Sequence, residues 1–183
     1  MRRAGFFLCI LWVTAVRIVS ADELPGEIKG KRIDSRYCTI WLHPQVETRQ
    51  ANKRINTWRL QAFGKLGEDV SEEEKLAAKC DTLFRRAEEI LDMYPPEIHV
   101  TVRVAKDRSE VGGIHATRYG YGTGAIAFYD FEENTIFVGV KDLSEGVLAH
   151  ELAHSIIDHY FRIRPPRKIE ELLAMHVDEH LRD

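Results

Sequence analysis

The pentapeptide His150-Glu151-Leu152-Ala153-His154 constrains this chain more than any other stretch. Two imidazoles four residues apart meet only on a helix, where positions i and i+4 lie about 40° apart around the axis and project from one face. The chain must therefore present a helix here, with His150 and His154 turned toward an open site. Leu148, Leu152 and Ile156 turn toward a core. Composition alone would produce roughly 0.03 such pentapeptides in a chain like this one. Asp142 with Glu145 reads as a capping box that opens the helix, which runs to about Tyr160. Pro165-Pro166 breaks it, and a last helix runs from about Arg167 to the C-terminus.

Two imidazoles with a carboxylate between them suit a divalent metal, zinc above all. A working zinc site holds three protein ligands and one open position. His159 lies about 180° around the helix from His150 and cannot complete the set. Position 160, where a further histidine would stand in one common zinc pattern, is Tyr160. The following helix offers carboxylates at Glu170 and Glu171.

With these residues in place the sequence resembles the gluzincin branch of the zincin metallopeptidases, with a minimal, thermolysin-like core. Glu171 is followed by Ala174 at i+3 and Asp178 at i+7, all on one helix face. The resemblance implies that Glu171 is the third ligand of one zinc ion per chain and that Asp178 accepts a hydrogen bond from a ligating imidazole. Glu170, about 100° away, is the fallback ligand. The resemblance extends upstream to a strand, a turn and a strand, Gly124–Tyr129 and Ile136–Val140, ahead of the metal helix. It implies that the backbone around Ile126 and Ala127 pairs with an extended peptide.

The function so implied is an exported peptidase using a metal-activated water, with Glu151 as general base. Tyr119, Tyr121, His115, His176 and His180 are candidates for a donor to the developing oxyanion. Two other readings stay open: a non-catalytic, zinc-stabilised protein-binding domain, and a zinc amidase acting on cell-wall peptides.

The N-terminus reads as an address. Met1-Arg2-Arg3 is basic, Phe6 to Val16 is continuously apolar, and Val19-Ser20-Ala21 supplies small residues before Asp22, the layout of a cleavable signal peptide. Eleven apolar residues fall well short of the ~20 that a membrane span needs. Export to the periplasm or outside the cell is the expected destination, with no membrane contact after cleavage. Removal of residues 1–21 leaves 23 basic against 29 acidic residues, a net −6. That balance gives no reason to expect a nucleic-acid partner, and a peptide or protein substrate and a monomeric state are expected instead. The two remaining cysteines, Cys38 and Cys80, are expected to form a disulfide in an oxidising compartment.

The rest of the chain, 44% hydrophobic and long enough for one core, reads as a single α+β domain over residues 37–183 behind a flexible leader, 22–36. Helical spacing is expected at 45–63, and a helix capped by Ser71 and Glu74 follows. Glu97 to Ala105 alternates as a strand, and Ala125–Asp130 with Thr135–Val140 reads as a hairpin. Val111 to Gly124, with five glycines, reads as a loop.

Overall fold

A computed structural model of the chain describes residues 28, 30–57 and 70–183. The element order is β1 (Lys31–Asp34), β2 (Cys38–Leu42), α1 (Thr48–Arg54), α2 (Glu72–Leu91), β3 (Val100–Ala105), α3 (Arg108–Tyr119), β4 (Ala127–Asp130), β5 (Thr135–Gly139), α4 (Glu145–Tyr160) and α5 (Arg167–His180). The strands form one mixed sheet in the order β1-β2-β3-β5-β4. Its centre is parallel, β2 to β3 to β5, and both edges are antiparallel. This is an α+β fold.

Register explains the core. Ile33, Ile40, Val102, Ile136 and Tyr129 fall in one row across all five strands, and Leu42, Val104, Val138 and Ala127 fall in the next. Because strand side chains alternate, both rows face the same side. There they meet α2, α4 and α5 in the main core. The opposite face carries a smaller cluster of Ala105, Phe128 and Phe137, covered by Val111 and Ile114 of α3 and by Ile28. Leu148, Leu152, Ile156 and Ile157 of α4 are fully buried. Each contributes about 2 kcal/mol of transfer free energy, so the core holds this helix firmly.

The expected capping box of α2 is present: Glu74 donates its N–H to Ser71 Oγ (3.2 Å), and Ser71 donates its own to Glu74 Oε2 (2.9 Å). The β4–β5 hairpin also forms as read.

Several expectations need correction. The stretch taken as a flexible leader carries β1, paired along its whole length with β2. Neither strand showed in the sequence, because Cys38-Thr39-Ile40-Trp41-Leu42 is a central strand covered on both faces and lacks clean alternation. The glycine-rich stretch is not a loop. Asp107 caps α3 by accepting from the Glu110 N–H (2.9 Å), and Gly120, at φ +78°, ends it in the left-handed conformation that glycine adopts without strain. The cap of α4 is Ser144, whose Oγ accepts from the Val147 N–H (3.2 Å). Asp142 sits in the preceding turn and pairs with Arg108 (2.8 Å). The helix expected over 45–63 is α1 alone, since Ile55 is already extended, and the remainder from Trp58 lies outside the described residues.

The expected Cys38–Cys80 disulfide does not form: both are free, buried thiols. Burial pushes both up, Cys80 to about 12, so they pack as small apolar groups between β2 and α2. The expected signal peptide, 1–21, lies outside the described residues.

Candidate metal centre and cleft

The side chains of His150 and His154 leave α4 one turn apart, as the spacing requires. Their Nε2 atoms stand 3.3 Å from each other. From α5, Glu171 Oε2 approaches to 3.7 Å from His150 Nε2 and 3.8 Å from His154 Nε2. These three are the one group among the described residues whose donor atoms could share a metal ion. Tetrahedral zinc with bonds of about 2.1 Å separates neighbouring donors by about 3.4 Å, so the spacing and the nitrogen–oxygen donor set both fit that ion. Burial and the neighbouring His150 imidazole push His154 well below its ordinary value, which keeps its lone pair free at neutral pH.

Glu171 and Glu170 have separate fates. Glu170 is 3% exposed and holds Arg164 through two bonds, 2.5 Å to Nε and 3.1 Å to an Nη. It is committed to tying the α4–α5 connection to α5. Ala174, fully buried, faces α4 and lets the two helices close up. Asp178 also faces α4. A Cβ on Gly146 would lie 2.4 Å from Asp178 Oδ1, so the carboxylate rests against the bare backbone of the first turn of α4. It makes no hydrogen bond to His150 or His154 among the described residues, so the orienting role implied for it is not realised in this arrangement.

Glu151 points into the same site and is only 8% exposed. Burial, then the Glu171 carboxylate, pushes it up to about 8, against the opposing pull of the Tyr129 backbone N–H. That N–H belongs to the outer edge of β4. Since strand residues alternate, the N–H and C=O of Ala127 share the same free edge, and those of Ile126 do not. Tyr129 itself, unnoticed in the sequence, directs its hydroxyl to Asp158 Oδ2 (3.2 Å) and Asn134 Oδ1 (3.1 Å), and burial beside Asp158 pushes it up.

The site opens into a cleft of about 880 Å³ that runs along β4. At one end α3 and its following turn supply His115, Tyr119 and Tyr121, whose rings pack against each other and Phe128, with His115 at the centre. His115 Nδ1 lies 2.9 Å from the Tyr121 carbonyl, which leaves its Nε2 as the uncommitted nitrogen. At the other end stand Phe131, Arg164, Pro165 and Arg167. His176 and His180, the remaining donor candidates, do not line the cleft. They lie on the exposed side of α5, and His159 bonds back to the Ser155 carbonyl of its own helix. The two arginines were legible only as cations beside helix-breaking prolines. Compared with known protein families, with characterised proteins and with solved structures, the chain matches none of them.

Proposed function

We infer that this protein is an exported zinc-dependent peptidase. One observation carries the reading: two imidazoles from α4 and a carboxylate from α5 converge at ligand spacing beside a buried Glu151, under the free edge of β4. His150, His154 and Glu171 would hold the ion. When bound, zinc acidifies a water and polarises a substrate carbonyl. A structural zinc site normally uses four protein ligands and needs no adjacent base, so three ligands and Glu151 favour catalysis.

The chain's own groups divide the remaining work. The Ala127 edge pairs with an extended peptide and lays its scissile amide along the cleft. Glu151 takes a proton from the attacking water and returns it to the leaving amine. A carboxyl raised by burial exchanges protons near neutral pH, and a cation beside it draws it back toward a working base. The Tyr129 N–H holds that carboxylate at the strand edge. Of the aromatic groups lining the cleft, Tyr121 would donate to the oxyanion, since the Tyr119 hydroxyl bonds Asp130 and neutral His115, with its Nδ1–H on the Tyr121 carbonyl, offers only a lone pair.

The test is turnover of an unstructured protein substrate by zinc-loaded wild type and Glu151→Gln, with zinc content measured in both. Turnover lost with zinc retained supports the reading. Zinc bound with no turnover by either protein on protein or cell-wall peptide substrates points instead to a zinc-stabilised binding domain.

A further inference from the structure

Nine large apolar side chains stand exposed among the described residues, and six of them fall between Tyr160 and Met175: Tyr160, Phe161, Ile163, Ile169, Leu172 and Met175. Ile163 is 84% exposed, on a connection that otherwise binds itself down through Arg164. On α5, Lys168, Ile169, Leu172 and Met175 occupy the arc opposite the buried Glu170, Ala174 and Val177, so the outer face of the helix continues the patch. The acidic Glu179 closes it one turn later.

Charge follows the same boundary. Residues 160–169 contain Arg162, Arg164, Arg167 and Lys168 and no acid, in a chain whose net charge is −3. Arg164 pairs with Glu170 and Arg167 with Glu171 (3.6 Å), which leaves Arg162 and Lys168 as the exposed cations of the patch. Cations and exposed apolar groups therefore alternate on this connection and the first turns of the next helix. Apolar groups for the acyl boundary beside cations for the headgroups form the two-part signature of interfacial attachment. Among the described residues no helix is long and apolar enough to cross a bilayer. A span and a surface contact are different modes, and the exposed patch argues for the second, against the sequence expectation of no membrane contact after cleavage.

We propose that the α4–α5 connection and the outer face of α5 dock on an anionic phospholipid surface. Phe161 and Ile163 enter the headgroup region, while Arg162 and Lys168 meet lipid phosphates. Arg164, Pro165 and Arg167 also line the cleft, so docking brings the cleft mouth to the bilayer. On the peptidase reading, the substrates are then chain segments beside that bilayer. The docking itself does not depend on that reading.

Vesicle flotation tests it, using the protein as recovered after export. Phosphatidylglycerol–phosphatidylcholine vesicles should carry the protein up the gradient, phosphatidylcholine vesicles should not, and added salt should release it. Arg162→Gln and Lys168→Gln should each lower partitioning about fivefold. Ile163→Asp should abolish flotation while the melting temperature stays at the wild-type value, which separates lost docking from lost folding. Absence of flotation, or binding that ignores both salt and these substitutions, overturns the proposal. A dimer dispersed by Ile163→Asp, with no flotation, would assign the patch to a second copy of the chain instead.

Discussion

The molecule carries two histidine pairs with the same helical spacing, His150/His154 on α4 and His176/His180 on α5, and only one resembles a metal site. The α4 pair is half-buried, its Nε2 atoms face one another at 3.3 Å, and a carboxylate from another helix closes the triangle. The α5 pair is on the surface. Its rings are closer, with centroids 4.1 Å apart, yet His180 Nδ1 is spent on the His176 carbonyl. The nearest acid to His180 Nε2 is Asp183, at 3.9 Å and itself exposed. Spacing i, i+4 therefore supplies two donors at most. The third donor and the exclusion of water come from packing α5 on α4.

The largest effect should follow from removing that third donor. Partners that only orient a ligand are worth about 10–100-fold in metal affinity, so Glu171→Ala should weaken zinc binding by more than about 100-fold, and His150→Ala likewise. Competition with a chelating dye measures both. Glu151→Gln comes next: zinc affinity should stay within a few fold while kcat falls about 10²–10⁴-fold, the range for loss of a general base.

Arg164→Met probes the packing that presents Glu171. It leaves Glu170, 3% exposed, as a buried carboxylate without its partner. Breaking such a pair costs about 3–5 kcal/mol when both members are buried. Arg164 is 39% exposed and partly solvated. The expected loss is therefore about 2 kcal/mol, read as a melting temperature lower by about 4–8 °C, with zinc affinity down about tenfold. An unchanged melting temperature would show that α5 is seated by Ala174, Val177 and Leu181 alone.

The same contrast explains which parts of the molecule the sequence discloses. His150, Glu151 and His154 are legible because they lie on one helix whose angular rule converts spacing into direction, whereas Glu171 was read from the family resemblance. That rule also separates Glu171 from Glu170 by 100°, though their different partners appear only in three dimensions. α3 was missed because glycine content outweighed the Asp107 cap and the Val111/Ile114 spacing, and the aromatic end of the cleft went unplaced with it. β2 was missed because burial on both sides erases period-two alternation, and β1 because its four residues, Lys31 to Asp34, bury only Ile33. The cysteine pair was correctly placed in contact-forming elements but not correctly joined: two buried thiols pack without a bond. Asp178 was read from family position, and its carboxylate lies beside the bare Gly146 backbone with no bond to either imidazole.

The smallest effect should come from the pair that only looks like a site. In His176→Ala/His180→Ala the substitutions touch an exposed helix face and remove a single i, i+4 contact, that of His180 Nδ1 with the His176 carbonyl. Surface changes of this kind stay within about 0.5 kcal/mol, so the melting temperature should move by no more than about 2 °C. Zinc content should remain one per chain and turnover should match wild type, because neither ring lines the cleft. A fall in zinc content would break the distinction between the pairs, since it would mean that exposure and a distant acid suffice to hold the ion. A fall in turnover with zinc retained would instead place one of these imidazoles over the cleft during reaction, which requires α5 to rotate and would carry Glu171 with it.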